Sequence, residues 1–218
     1  MRATPAGEYD HILYGYNRLM SRCVVGRDPP LTPQAMSKIV RTEKRFTGKA
    51  DCDVVDDMYG DFFEATAPTV ERLVLQERGW GEVEACALAE ALPRFVNCRK
   101  LVLFRNPLGD AGAKAIFEAL DAAPSVQELG MIDCNLGEGA AVALAAVLQR
   151  NTSLTNVSLS QNDEIGDAGG LALAEAIGRN ATLRELDFDG CDLGENAEAA
   201  LRKVASMRAA GNELRLYP

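Results

Sequence analysis

The chain has 218 residues, of which 47% are hydrophobic and 25% are charged, and its formal net charge is −9. These proportions are those of an ordinary globular protein, and the length allows one large domain or a small domain joined to a medium one. No apolar run approaches the roughly 18 residues of a membrane-spanning helix, and the first residues lack the pattern of a leader. We therefore expect a protein that makes no membrane contact and is cytoplasmic, with nuclear and cytoskeletal locations as alternatives.

The charge is divided unevenly along the chain. Residues 1–50 carry nine basic and four acidic side chains, a net charge of +5, so residues 51–218 carry −14. Such a split can mark a docking surface, or it can let the two parts attract each other. Nucleic acid is not an expected partner, because the acidic part would repel phosphates.

Residues 8–65 contain three segments whose apolar residues recur at helical spacing. The first of them has Ile12, Leu13, Tyr16, Leu19, Met20 and Cys23. The sequence Asp28-Pro29-Pro30 then interrupts the pattern, and Thr32-Pro33 suits the start of a second helix, with a capping hydroxyl and a proline in the first turn. The second helix would present Met36, Ile39, Val40 and Phe46. The third has Val54, Val55, Met58, Phe62 and Phe63, and is expected to end near Ala67-Pro68.

Two interpretations of this head remain open. In the first, residues 1–69 are a helical cap that covers the open end of the body that follows. In the second, a basic head patch docks an acidic partner, since Arg41, Lys44 and Arg45 share one helix face. The residues of this basic head patch are Lys38, Arg41, Lys44, Arg45 and Lys49.

From residue 70 onward, one pattern recurs: two apolar residues two positions apart, then an Asn or Cys, which is Arg78 in the first copy, then a glycine. The first residue of each apolar pair falls at Leu73, Leu101, Leu129, Val157, Leu186 and Leu214. The spacing is 28 residues four times and 29 once, where an insertion at Asp163-Glu164 accounts for the extra residue. Internal periodicity of this kind indicates a repeat architecture. Residues 70–218 are thus five full repeats and a terminal strand.

Each copy has the same physical interpretation. The alternating residues form a short strand with one face buried. The Asn or Cys that follows can bond backbone groups of the adjacent turn, and an alanine-rich stretch then forms a helix with an acidic residue suited to its N-terminus. One such unit cannot bury its own apolar face, whereas stacked units build a continuous core. We expect an α/β solenoid with a curved parallel sheet inside and helices outside.

The repeat resembles the ribonuclease-inhibitor-like class of leucine-rich repeats, over residues 70–218. The class includes enzyme inhibitors, innate-immune sensors, axonemal components, tropomodulin-like actin-capping proteins and Ran GTPase-activating proteins. The resemblance implies binding of a protein partner through the curved surface. It does not indicate which of these activities the chain has.

The strand residues that lie between the core positions should face the concave side of the sheet. Val74, Val102, Phe104 and Ile132 would form an apolar cluster there, and Lys100 and Arg105 lie beside it. Exposed apolar clusters usually mark contact sites, and an aromatic residue beside an arginine is a frequent interface anchor. Alternatively, the head folds over this cluster. Toward the other end, Glu185, Asp187 and Asp189 form an acidic group that is either solvated or a dock for a basic segment.

The sequence shows no persuasive catalytic arrangement. There is no GxxxxGK[ST] loop, and His11, which is the chain's one histidine, lies beside apolar residues of the first predicted helix. The six cysteines contain no CxxC pair, so we expect reduced, buried thiols and neither a metal site nor a cofactor. We therefore predict a non-enzymatic adaptor or scaffold with no small-molecule substrate. The alternatives are a regulator of a small GTPase and a structural subunit of a cytoskeletal, axonemal or other large assembly.

Overall fold

The computed structural model describes residues 28–42, 49–208 and 213–217. The first predicted helix, residues 12–23, and Phe46 lie outside these ranges. Within the described ranges, two helices precede the sheet: α1 (Pro33–Thr42) and α2 (Lys49–Thr66). Thr32 caps α1 as predicted, because its Oγ1 accepts a hydrogen bond from the backbone N–H of Ala35 at 3.2 Å. A 3-10 turn at Ala67–Thr69 ends α2 where the prediction placed the boundary.

Six parallel strands of three residues each form one sheet in chain order. They are β1 (Arg72–Val74), β2 (Lys100–Val102), β3 (Glu128–Gly130), β4 (Asn156–Ser158), β5 (Glu185–Asp187) and β6 (Arg215–Tyr217). The helices between them are α3 (Glu82–Ala91), α4 (Gly109–Ala119), α5 (Glu138–Leu148), α6 (Gly166–Arg179) and α7 (Glu195–Ser206). Helices that follow one another pack side by side on the outer face of the sheet. This is the predicted α/β solenoid. Among the described residues, no helix has the length and apolar character needed to cross a membrane.

The register confirms the repeat for five units and corrects it for the sixth. Leu73, Leu101, Leu129, Val157 and Leu186 are level with one another across the sheet, and all are buried. In the last pair, however, Leu186 is level with Leu216 and not with the predicted Leu214. The shift is two residues, which preserves the alternation of side chains, so Arg215 and Tyr217 still point to the concave face.

The Asn and Cys positions form the predicted buried network after strands β2 to β5. The side-chain oxygen of Asn106 accepts bonds from the backbone N–H groups of Arg78 at 2.8 Å and Trp80 at 3.2 Å. Its Nδ2 donates to the carbonyls of Leu75 and Leu103, both at 2.8 Å. Asn162 bonds the third and fourth units in the same way. The asparagines therefore tie each turn to the preceding unit, where water has no access.

The cysteines are free among the described residues, but the prediction that they are all buried was wrong for two of them. Cys98, Cys134 and Cys191 are fully buried, whereas Cys86 is exposed and Cys52 is half-buried. Cys134 and Cys191 occupy the network position, and each Sγ lies 3.2 Å from a carbonyl of the preceding unit. Cys86 lies on the outer face of α3, where the helical period carries the side chain away from the core.

The described part of the head packs on the first repeat. Phe63 of α2 is buried in the same core as the strands, and its ring meets that of Phe95 edge to face at 5.9 Å between centroids. Arg94 forms an ion pair with Glu64, and the Asn97 amide donates to the carbonyl of Pro68 at 2.7 Å. Apolar residues on the two sides of the predicted boundary between residues 69 and 70 thus share one core. Separate domains at this boundary remain a prediction.

Candidate functional site: the concave face of the sheet

The strand residues between the core positions line the concave face, as the alternation predicts. Arg72 and Val74 of β1 are exposed, and Lys100 and Glu128 are half-buried next to them. Toward the other end, Asn156, Ser158, Glu185 and Asp187 are half-buried as well. A groove of about 350 Å³ crosses strands β2 to β6, and its lining includes Lys100, Phe104, Glu128, Ser158, Asp187 and Tyr217.

The predicted apolar cluster is present, but its members are not equally accessible. Val74 is 38% exposed, and Phe104 and Ile132 are half-buried. Val102 is only 5% exposed, so it offers almost no surface to a partner and the prediction of a contact role for it needs correction. Val102 is level with Gly130 of the next strand, and the Phe104 ring lies directly over that glycine. A side chain at position 130 would collide with the ring, because a Cβ there would lie 2.4 Å from Phe104 Cε1.

Gly130 is therefore a residue of the site that the sequence analysis did not single out. The signal was available: at the same strand position, the neighbouring units carry Val74, Val102, Ser158 and Asp187. A glycine among side chains at a half-buried strand position is typical of close approach by another group. Here that group is the aromatic ring from the preceding repeat.

Arg105 lies at the rim of the face, one residue beyond Phe104. Its backbone is in the left-handed region with φ at 55°, as are Glu77 and Asp133 in the adjacent units. The guanidinium pairs with Glu77 at 2.6 Å and lies 3.9 Å from Asp133. The Arg105 side chain is still two-thirds exposed. An exposed arginine held between two carboxylates is available to a partner, although part of its charge is already neutralised.

The polar residues of the concave face bond to one another across the strands. Lys100 Nζ lies 2.5 Å from Glu128 Oε2. In the acidic group, Asp187 accepts a hydrogen bond from Ser158 Oγ at 2.8 Å. Glu185 accepts hydrogen bonds from the Asn156 amide and from Arg215 Nη1, the latter at 3.1 Å. Cross-strand pairs fix these side chains in place, so a partner meets a preformed polar surface.

Charge on this face varies along the sheet: the first two strands carry basic residues, β5 carries acidic residues, and β6 carries Arg215. Arg72 and Lys100 lie on the first two strands, and Arg105 lies at the rim of the second. The acidic group of Glu185, Asp187 and Asp189 lies on and just beyond β5, and Asp189 is exposed. The predicted apolar cluster and acidic group are thus on one continuous surface, with the groove between them.

The basic head patch is only partly open to a partner. Lys38 is exposed, but Arg41 is engaged with Asp53 at 2.8 Å and Asp56 at 2.6 Å on α2. Lys44 and Arg45 lie outside the described residues, as does the side chain of Lys49. Hydrogen bonds to the two carboxylates raise the pKa of Arg41. The positive charge of Arg41 on α1 therefore pairs with carboxylates of α2 within the head and is not free for a partner.

The described residues hold no group of three or more His, Cys, Asp or Glu side chains that could bind a metal ion. Burial raises the pKa of the Cys134 and Cys191 thiols to about 11, which leaves them protonated and unreactive at neutral pH. The pairs that do form on the concave face join acids to bases, amides or hydroxyls.

Comparisons with known proteins agree with this architecture. A family model described as Leucine Rich repeat matches residues 99–117, 150–174 and 179–196. A solved structure of leiomodin-1 actin-binding site 2 superposes with a TM-score of 0.57 at 16% identity, over 67% of this chain and 84% of that one. The tropomodulin C-terminal domain of Caenorhabditis elegans gives a TM-score of 0.56 at 14% identity, over 66% and 87%. No curated protein sequence matches the chain significantly. These likenesses show the fold.

Proposed function

Because the body of this chain is a leucine-rich-repeat solenoid, we propose that the protein is a non-catalytic adaptor or scaffold that holds a protein partner against its concave face. The observation that carries the proposal is the groove across β2 to β6, which has the Phe104 ring at one side and the acidic group at the other. A fixed aromatic ring beside satisfied polar pairs is the usual composition of a protein-binding surface. The ribonuclease-inhibitor-like subtype, with one helix of 10 to 14 residues in each full unit, is part of this proposal.

The concave face is tested with two substitutions and a matched control. Phe104→Asp removes the aromatic anchor, and Asp187→Lys reverses the charge of the acidic group. Val142→Asp is the control, since Val142 is 46% exposed on α5, on the opposite side of the solenoid. We expect proteins recovered with the wild type from the native source to fall by about tenfold with either concave variant, because truncating one anchor costs about 1.4 kcal/mol or more. Recovery with Val142→Asp should not change.

The outcome that contradicts the proposal is equal recovery with all three variants. The interaction would then lie elsewhere on the molecule. Circular dichroism spectra and thermal unfolding of each variant exclude loss of the fold as the cause of reduced binding.

A second candidate is a subunit of an actin-containing assembly. It is favoured by the two solved structures, one of which is described as an actin-binding site of leiomodin-1. Co-sedimentation with filamentous actin, and the effect of the protein on actin polymerisation, test this directly. If Phe104→Asp abolishes actin binding, actin is the partner that the concave face holds. If the protein binds neither filamentous nor monomeric actin, the actin-assembly candidate is excluded. Stimulation of a small GTPase stays a prediction, and hydrolysis assays with and without the protein address it.

A further inference from the structure

Helix α2 exposes an apolar stripe on the side that faces away from the core. Val54, Met58 and Phe62 follow one another at four-residue intervals, and they are 56%, 68% and 54% exposed. The opposite side of α2 is the one that packs, through Tyr59 and Phe63. A helix with apolar residues on both sides is normally covered on both sides. The α2 stripe, meaning these three residues, therefore needs a covering element.

Acidic residues without partners flank the α2 stripe. Asp57 and Asp61 are both exposed, and neither forms an ion pair with any residue that the structure describes. Three other acids of α2 do form ion pairs: Asp53 and Asp56 with Arg41, and Glu64 with Arg94. The element that covers the α2 stripe should therefore carry basic residues beside an apolar face.

We propose that the α2 stripe is covered by residues 12–23 of the same chain, independently of any partner at the concave face. In this segment Ile12, Tyr16, Leu19 and Cys23 recur at helical spacing, with Leu13 and Met20 beside them. On a helix these six residues form one apolar face, and Arg18 and Arg22 adjoin it, four residues apart. Apolar and basic residues in this arrangement are complementary to the α2 stripe and its flanking acids.

The path of the chain brings the segment to the right place. The described chain begins at Asp28, and three residues later the carbonyl of Leu31 accepts a hydrogen bond from the Tyr59 hydroxyl at 2.8 Å. Tyr59 is the residue after Met58, so the chain passes α2 at the level of the stripe. Four residues separate Cys23 from Asp28, and an extended link of that length spans about 15 Å, more than the roughly 10 Å diameter of a helix. Cys23 can therefore reach the far side of α2.

The test measures the accessibility of position 58 in the full chain. In a background with Cys23→Ala, Cys52→Ala and Cys86→Ala, Met58→Cys is compared with Met207→Cys. Met207, which follows α7 directly, is the control, because it is also a methionine and its side chain is exposed to a similar extent, 74% against 68% for Met58. Alkylation by a maleimide is followed by mass spectrometry. We expect the thiol at position 58 to react at least tenfold more slowly than the thiol at position 207.

Adding Leu19→Asp, which places a charge in the apolar face of the segment, should raise the rate at position 58 to that at position 207. Asp57→Lys and Asp61→Lys should raise the alkylation rate at position 58 by a smaller amount, most clearly at low ionic strength. Equal rates at positions 58 and 207 without these substitutions would overturn the proposal. Slow alkylation at position 58 that Leu19→Asp leaves unchanged would also overturn it. Slow alkylation that disappears on dilution would overturn it as well, because the stripe would then be covered by a second copy of the chain. Thermal unfolding of each variant confirms that the body remains folded.

Discussion

Phe104 can lie across the sheet because its neighbour in the next repeat, Gly130, has no side chain. The ring fills the space that a Cβ at Gly130 would occupy, and Val102, which is level with that glycine, is 5% exposed. One small residue thus leaves the space that the aromatic ring occupies. An interaction between residues 26 positions apart in the sequence decides which side chains the concave face presents.

We expect Gly130→Ala to displace the Phe104 ring and to lower the free energy of unfolding by about 1–3 kcal/mol, the usual cost of overpacking. Gly178→Ala is the matched control, because an added Cβ there would meet nothing closer than 3.9 Å and alanine favours the helix by about 0.5–1 kcal/mol. Denaturant unfolding measures both variants, and the chemical shifts of the Phe104 ring report its displacement. Equal effects of the two substitutions would mean that the ring moves aside without cost.

At the same scale, the stability of the fold should depend on pH through its buried thiols. Burial raises the pKa of Cys134 and Cys191 to about 11, so the folded state holds these protons more tightly than the unfolded state does. Their contribution to stability is present below the unfolded pKa and is lost as the pH rises toward about 11. At pH 8, iodoacetamide should modify exposed Cys86 and leave both buried thiols unmodified until denaturant is added. Peptide mapping checks this, and modification of Cys134 at the rate of Cys86 would contradict it.

At the scale of elements, the helix ends are joined by a second ladder of polar side chains. Asn180 donates to the carbonyls of Leu148 at 2.8 Å and Asn151 at 3.0 Å, which belong to the preceding unit. Arg208 follows Asn180 by 28 residues, and its guanidinium donates to the carbonyls of Ile177 at 3.0 Å and Asn180 at 2.6 Å. An arginine thus takes the place of the asparagine in the last unit. Its guanidinium adds a charged donor at the end of α6, where the Ile177 carbonyl also accepts the backbone N–H of Asn180 at 3.2 Å.

Arg208→Ala should therefore lower the free energy of unfolding by about 1–3 kcal/mol, the range expected when buried carbonyls lose their donor. Arg202→Ala is the control, since Arg202 forms an exposed pair with Glu198 on α7 and such pairs contribute about 0.3–0.5 kcal/mol. Arg208→Asn should recover part of the loss because it restores the residue of the earlier units. Thermal or denaturant unfolding measures all three. If Arg208→Ala lowers the free energy of unfolding no more than Arg202→Ala does, water must hydrogen-bond the carbonyls in place of the guanidinium.

At the scale of the whole molecule, one apolar core runs through the described units. It extends from Phe63 in α2 to Leu214 before the last strand, with no break at the predicted boundary between residues 69 and 70. In a solenoid each unit is stabilised by its neighbours, so an end unit without a cover loses part of its stability. We therefore expect the head and the first repeat to unfold together.

Phe63→Ala tests this coupling. The substitution removes a buried ring that packs against Phe95 and should cost about 3–5 kcal/mol. Hydrogen exchange should then become faster in α2 and also in α3, with little change in α6. Val83→Ala is the control, because Val83 is 76% exposed on α3 and lies outside the core. Faster exchange confined to α2 would indicate that the head unfolds independently of the repeats.

The sequence by itself determined the repeat, the solenoid and the face on which each strand residue lies. These are local properties: the alternation of a strand and the period of a helix can be read within one unit and then checked against the next, as the buried series from Leu73 to Leu186 shows. Tertiary structure decided which of those residues are accessible. Val102 is covered, Arg41 is paired with α2, and Leu216 takes the position expected for Leu214. Each depends on a group from a neighbouring element, placed there by packing and not by local periodicity.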